Sequence, residues 1–198
     1  MRGLKGKAVV ITGAAGGFGR ALSRRFAEEG CTLGLLDLNA EGVEETAAAA
    51  RELGADAHAH AVDISDYGAV CDAVGAFQAS AGSVDVLVNN AGFDQFAFFL
   101  DTDPAFWDKV IAINLKGPIN LHHACLKIMA EQKSGRVINI ASDAGRVGSS
   151  GESVYSACKG GMIAFTKTMA REMARSNVLV NCVSPGPADT ALFHSFIG

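Results

Sequence analysis

The 198-residue chain has no excess of basic charge: 17 Lys+Arg stand against 21 Asp+Glu, a net charge of -4. Nothing in that balance draws a phosphate backbone irrespective of sequence, so no nucleic-acid partner is expected. Long apolar runs are missing too. No stretch approaches the roughly 18 consecutive apolar residues of a membrane span. Ala8 to Ile11, although preceded by Arg2, Lys5 and Lys7, is too short for a signal-peptide core. A soluble protein without a membrane partner is expected. The five cysteines, Cys31, Cys71, Cys125, Cys158 and Cys182, are odd in number and scattered, with no C-x-x-C pair. That pattern supplies neither a zinc site nor a dithiol couple and predicts reduced thiols in the cytoplasm. Histidines do not cluster at ligand spacings, since His58 and His60 alternate on a strand, His122 and His123 are adjacent on a helix and His194 is isolated; no metal is expected. No linker or shift in composition divides residues 1–198, which read as a single domain.

What the chain does have is apolar content, 49% hydrophobic residues with a mean hydropathy of +0.22, enough for a substantial core. Six short runs rich in β-branched residues read as strands: Lys7 to Thr12, Cys31 to Asp37, Ala57 to Val62, Val84 to Val88, Arg136 to Ala141 and Asn177 to Val183. Several are almost continuously apolar, as strands covered on both faces must be. Helical stretches lie between them at 17–29, 40–53, 66–81, 105–133 and 152–175. The alternation predicts right-handed crossovers and an α/β fold with a doubly wound parallel sheet, Rossmann-like, ordered 3-2-1-4-5-6. Only Ala188 to Gly198 follow Pro185-Gly-Pro187, so a final C-terminal strand is expected to be absent.

The first strand runs straight into Thr12-Gly-Ala-Ala-Gly-Gly-Phe-Gly19, and a helix follows. Glycine at 13, 17 and 19 permits a tight turn and close approach of backbone to a pyrophosphate, while the helix N-terminus offers unpaired N–H groups. Gly13, Ala15, Gly17, Phe18 and Gly19 are therefore candidate cofactor contacts. Asp37 ends the second strand about twenty residues on, where a carboxylate accepts hydrogen bonds from ribose hydroxyls and repels a 2′-phosphate. Leu38 follows it, and no neighbouring Arg or Lys is evident. NAD is expected as the cofactor.

Tyr155 and Lys159 are four apart on a predicted helix and share one face. A phenol of pKa about 10 is a poor acid or base near neutrality, and a nearby ammonium favours its phenolate. Ser142 follows the fifth strand at the carboxyl edge of the sheet, where its hydroxyl can hold a substrate oxygen or serve as a turn cap. Asn114 lies in the apolar helical stretch Val110 to Leu115, where an amide needs a partner or distorts the helix. Cys158 reads as a small packing residue. Phe93, Phe96, Phe98, Phe99 and Phe106 gather with Trp107, either as a wall of an apolar substrate pocket or as ordinary packing or an oligomer contact.

These residues resemble the short-chain dehydrogenase/reductase family over nearly the whole chain, through Thr12 to Gly19, Asp63, Asn89-Asn-Ala-Gly92, Asn114, Ser142, Tyr155-x-x-x-Lys159 and Pro185-Gly186. The resemblance implies that Asp63 and Ile64 flank the adenine and that Asn90, Ala91 and Gly92 lie along the cofactor. It places Pro185, Gly186, Ala188 and Thr190 on the nicotinamide side. It implies a catalytic set of Asn114, Ser142, Tyr155 and Lys159: Tyr155 exchanges the hydroxyl proton, Ser142 holds the oxygen, Lys159 tunes Tyr155 and binds ribose, and Asn114 organises a water relay. A homodimer or homotetramer is also implied, with Met162, Ile163, Phe165 and Met169 offering apolar surface along the second long helix, part of which the chain's own sheet could bury instead.

Asn139 to Glu152, Val154 to Gly161, Gly92-Phe-Asp94 and His122-His123 are similar to 2-hydroxycyclohexanecarboxyl-CoA dehydrogenases. That likeness implies NAD-dependent interconversion of a β-hydroxyacyl and a β-ketoacyl thioester, possible substrates including an acyl-CoA. A 3-oxoacyl-carrier-protein reductase or another alcohol dehydrogenase is the alternative, and a non-catalytic NAD-binding regulatory protein the alternative of a different class.

Overall fold

The computed structural model describes residues 3–188. Six parallel strands, β1 (Ala8–Thr12), β2 (Thr32–Asp37), β3 (Ala57–Ala61), β4 (Val86–Asn89), β5 (Gly135–Ile140) and β6 (Val178–Val183), form one sheet ordered β3-β2-β1-β4-β5-β6. This is the expected doubly wound order. Successive side chains of a strand face opposite ways, so each central strand feeds two cores. Val9 and Ile11 pack with Leu33, Leu35, Val43 and Val88 on the face covered by α1 (Gly17–Glu28) and α2 (Ala40–Glu52). Val10 packs with Leu36, Phe77, Leu87, Leu121 and Met129 on the other, covered by α3 (Tyr67–Ala81) and α5 (Gly117–Gln132).

Local chemistry starts the helices where the sequence predicts. Asn39 accepts from Gly42 N at 3.0 Å at the head of α2, and Asp66 accepts from Gly68 N and Ala69 N at the head of α3. Asp103 caps α4 (Pro104–Ile111) through Phe106 N at 2.8 Å, with Pro104 in the first turn.

The stretch 105–133, expected as one helix, is instead α4, a π-helical turn over Ala112–Lys116 and α5. Asn114 accounts for the change: fully buried in that turn, it donates through Nδ2 to Val110 O at 2.9 Å and accepts through Oδ1 from Phe93 N at 3.2 Å. A short α6 (Ala144–Val147), not anticipated, follows β5, and α7 (Ser153–Glu172) ends three residues earlier than expected. Met162 and Met169 of α7 pack against this chain's own core, the second of the two readings above, while Phe165 meets the ring of His122 edge-on at 5.0 Å. All five cysteines are free. Among the described residues no helix is long and apolar enough to cross a membrane, and no cluster of His, Cys, Asp and Glu could hold a metal.

At Gly34 in β2 a Cβ would stand 2.7 Å from the fully buried ring of Phe77, close enough that one of them must move. Gly34→Ala is therefore expected to cost about 1–3 kcal/mol by overpacking. Urea denaturation should show a lower midpoint with an unchanged slope; an unshifted midpoint would show that the Phe77 ring yields freely.

Candidate active site

The carboxyl ends of β1 and β4 are locked together by one hydroxyl. Thr12 Oγ1 accepts from Asn90 N and Ala91 N, both at 3.0 Å, while Asn90 Nδ2 donates to Thr12 O and Gly13 O at 3.0 and 3.2 Å. Gly13, at φ 66°, turns the chain there, and a Cβ on it would lie 2.7 Å from Ala91 Cα. A Cβ at Gly19 would lie 2.0 Å from Gly13 O, so only glycine lets α1 close onto the loop. The loop delivers α1 with Gly16 as its N-cap, no side-chain cap bond and no acid in the first turn. An anion is suited to such a helix start.

Asp37 stands where the sequence places it. One carboxylate oxygen accepts from Ala15 N and the other from Asn39 N, each at 2.9 Å, tying the glycine loop to the end of β2. Leu38 beside it is 73% exposed. One basic group was missed: Arg20, a turn into α1, donates to Ala15 O at 2.8 Å and pairs with Glu45 at 2.8 Å. Its position on α1, remote from Asp37 in sequence, hid it. Asp63 is exposed, whereas Ile64 is 7% exposed and turns its side chain into the core.

A cleft of about 480 Å³ opens at the same edge of the sheet, and Phe18, Asn90, Gly92, Ser142, Tyr155, Lys159, Pro185, Gly186 and Ala188 all line it. Thr190 lies outside the described residues. The Ser142 hydroxyl accepts from Ala144 N at 3.1 Å and shares the cleft wall with the Tyr155 phenol. Lys159 is 4% exposed, its Nζ donating to Ile140 O at 2.9 Å and lying 5.4 Å from the Tyr155 ring centroid. Asn114 and Lys159 converge on Gly92, where a Cβ would lie 3.2 Å from Asn114 Oδ1 and 3.5 Å from Lys159 Nζ. The four expected catalytic side chains thus gather at one place.

The electrostatics depart from expectation. Lys159 does not bring the Tyr155 phenol down to neutrality. Burial pushes that phenol up to about 12, the Ser142 hydroxyl opposing the rise and Asp94 and Glu152 reinforcing it. Burial also lowers Lys159 to about 8. Desolvation is the largest cause of the shift at both ends of the couple.

Two acids escaped the sequence reading of the site. Asp94 is 5% exposed with a buried, unpartnered Oδ2, and its pKa rises to about 7, through burial first and the facing Glu152 carboxyl second. Glu152 lines the cleft. The available signals were an acid in an otherwise aromatic run and a glutamate three residues before Tyr155. Of the phenylalanine cluster only Phe96 reaches the cleft; Phe99 stacks on Trp107 at 5.3 Å and Phe93 lies under Lys109 Nζ at 4.0 Å. Cys158 is 2% exposed, and burial raises its thiol pKa, as a packing role requires.

The short chain dehydrogenase family model matches residues 7–197. The chain is 35% identical over 189 residues to a 3-oxoacyl-[acyl-carrier-protein] reductase of Thermotoga maritima, covering 96% of this chain and 77% of that protein. It is 37% identical over 196 residues to a (2S)-[(R)-hydroxy(phenyl)methyl]succinyl-CoA dehydrogenase subunit of Thauera aromatica, covering 96% and 77%. The crystal structure of a 3-ketoacyl-(acyl-carrier-protein) reductase from Brucella melitensis complexed with NADH superposes with a TM-score of 0.93 at 31% identity, over 98% of this chain and 80% of that one. With a dinucleotide-type glycine loop at one end of the cleft and Ser142, Tyr155 and Lys159 at the other, the chain belongs to the short-chain dehydrogenases, oxidoreductases that act on alcohol and ketone groups with a nicotinamide cofactor.

Proposed function

We propose that the chain is an NAD(H)-dependent oxidoreductase interconverting β-hydroxyacyl and β-ketoacyl thioesters. The observation that carries the reading is the meeting of Ser142, Tyr155 and Lys159 in one cleft, with Asn114 behind Gly92. Two similar proteins support the substrate class, one named for an acyl-carrier-protein thioester and the other for a CoA thioester. The open start of α1 and the Asp37 carboxylate fit a dinucleotide without a 2′-phosphate, and Arg20, the nearest cation to the loop, is held by Glu45. Gly13 to Gly19, Asp37, Asp63, the Ile64 backbone, Asn90 to Gly92, Lys159 and Pro185 to Ala188 would hold the cofactor. When bound, it supplies hydride exchange at the carbinol carbon.

The chain's own residues handle the oxygen and its proton. Ser142 hydrogen-bonds the substrate oxygen and orients it toward the Tyr155 hydroxyl. With its pKa near 12, Tyr155 holds its proton at neutral pH and is poised to give it to a ketone oxygen; in alcohol oxidation it takes the proton back. Lys159 contacts the ribose and keeps a positive charge beside Tyr155. Asn114, through Phe93 and its π-helical turn, fixes the wall behind Lys159 and organises the proton path. A homodimer or homotetramer in the cytoplasm, with the five cysteines reduced, completes the proposal.

Tyr155→Phe is expected to lower turnover of 3-oxoacyl thioesters by on the order of 10²–10⁴ while NADH affinity stays intact, because only the proton-exchanging hydroxyl is lost. A variant retaining the original rate would end this mechanism. Lys159→Ala should weaken both turnover and cofactor binding. The Lys159 pKa is lowered to about 8, so its ammonium is lost as pH rises through that value. NADH affinity should accordingly fall between about pH 7 and 9 in the unmodified protein, and stay flat in Lys159→Ala, when followed by fluorescence titration.

Asp37→Ala combined with Leu38→Arg is expected to shift preference toward NADP(H), removing a repulsion and adding a phosphate partner. Dissociation constants for both cofactors measure this, and tighter NADP(H) binding by the unmodified protein would overturn the cofactor assignment.

A further inference from the structure

Asp94 and Glu152 have no step in the proposed chemistry, yet the fold brings them together at the cleft. Asp94 is 5% exposed, and its Oδ2 is buried with no hydrogen-bond partner, a costly state for a carboxyl group. The loop that carries it is pinned beyond it: Ala97 N donates to Gly151 O at 3.0 Å, and the Phe96 ring packs against Gly151 so closely that a Cβ there would lie 2.3 Å from it. That pinning sets Asp94 against Glu152, and Glu152 stands on the cleft wall beside Tyr155. The other acid on the wall, Asp143, is held by Arg146 at 3.0 Å. The Lys159 ammonium, also on the wall, is turned to Ile140 O.

We propose that Glu152 on the wall, backed by the buried Asp94, makes the substrate cleft anion-excluding, so that it accepts the neutral ester or thioester of a β-keto or β-hydroxy acid and rejects the free carboxylate. This rests on the acyl-thioester reading above and deepens it. A β-keto acid and its thioester differ at one end only: the acid carries a full negative charge two carbons from the reacting carbonyl. With Ser142 and Tyr155 holding the carbonyl oxygen, that charge enters the half-buried space faced by Glu152 and backed by Asp94, where like charges are weakly screened. A thioester brings no charge there and finds the Ser149, Ser150, Val147 and Phe96 side of the cleft.

The exclusion depends on pH. Asp94 is faced by Glu152 and, on α7, by Tyr155, Cys158 and Lys159; on α4, Lys109 covers the adjoining Phe93 ring. Burial first and the neighbouring Glu152 carboxyl second raise the Asp94 pKa to about 7, so Asp94 gains its negative charge as pH rises through that value. A ligand carboxylate, with its ordinary pKa of about 4, stays ionised throughout. Rejection must therefore strengthen as pH rises.

The test is calorimetric binding of methyl acetoacetate and of acetoacetate to the NAD+-loaded protein, a pairing that cannot turn over, at pH 6 and pH 8. The ester is expected to bind more tightly by a factor on the order of 10 to 100 at pH 8, with a smaller gap at pH 6. Glu152→Gln should narrow the gap at pH 8, and Asp94→Asn should remove its pH dependence. Equal binding of acid and ester, binding of neither, or a gap indifferent to pH and to both substitutions overturns the proposal. If the ester is preferred in this way but NADH does not reduce it, the hydride-transfer reading fails and the wall stands.

Discussion

The hydroxyl of Thr12 is the joint on which the site depends. At the end of β1 the sheet changes direction, with β2 leaving on one side and β4 on the other, and ligands of open α/β sheets bind in the crevice so formed. By accepting two N–H groups from the segment after β4, this one oxygen fixes the glycine loop against Asn90 and Ala91. A dinucleotide reaching across the crevice therefore meets both walls in a set relation. Asp37 repeats the device on the other side through Ala15 N, so the loop is tied to the neighbouring strands on both flanks.

Beneath the cleft a second polar chain runs where apolar packing would be expected. Asn89 Nδ2 reaches Asn139 Oδ1 at 2.9 Å, and Asn139 Nδ2 reaches Thr166 Oγ1 at 2.8 Å and His122 Nε2 at 3.3 Å. His122 is 1% exposed and burial lowers its pKa to about 4, so it stays neutral, with Nδ1 against Pro118 O at 2.7 Å. Apolar side chains slide past one another at little cost, whereas a buried amide has few places to go. The chain thereby indexes α7 against β4, β5 and α5, and α7 carries Tyr155 and Lys159.

How far the sequence foretold this depended on whether a signal was local. Val9 to Ile11 and Leu33 to Leu36 read as strands because both faces are buried, which leaves a continuous apolar run. Thr12 to Gly19 and Tyr155 with Lys159 were legible because their spacing maps directly onto a turn and a helix face. Asn114 was legible as a misfit, though not as a π-helical turn. Pairings over distance were not: Asp94 with Glu152 spans 58 positions, and Arg20 with Ala15 depends on how the loop folds back. For Met162 and Met169 the choice between a second copy and the chain's own sheet stayed open, because periodicity identifies an apolar stripe without saying which neighbour covers it. The balance between burial and charge at Tyr155 and Lys159 likewise needs the depth of each group.

The π-helical turn at Ala112–Lys116 sets the rotation of α4 relative to α5. An α-helix rotates about 100° per residue, so one residue inserted or removed between Pro104 and Gly117 swings everything upstream to a new face. Val110, fully buried on α4, and Phe93, hydrogen-bonded to Asn114, would then lose their places together. A residue added or removed in the loop before Pro104, where Phe98, Phe99 and Leu100 are exposed, would leave the rotation of α4 against α5 as it is.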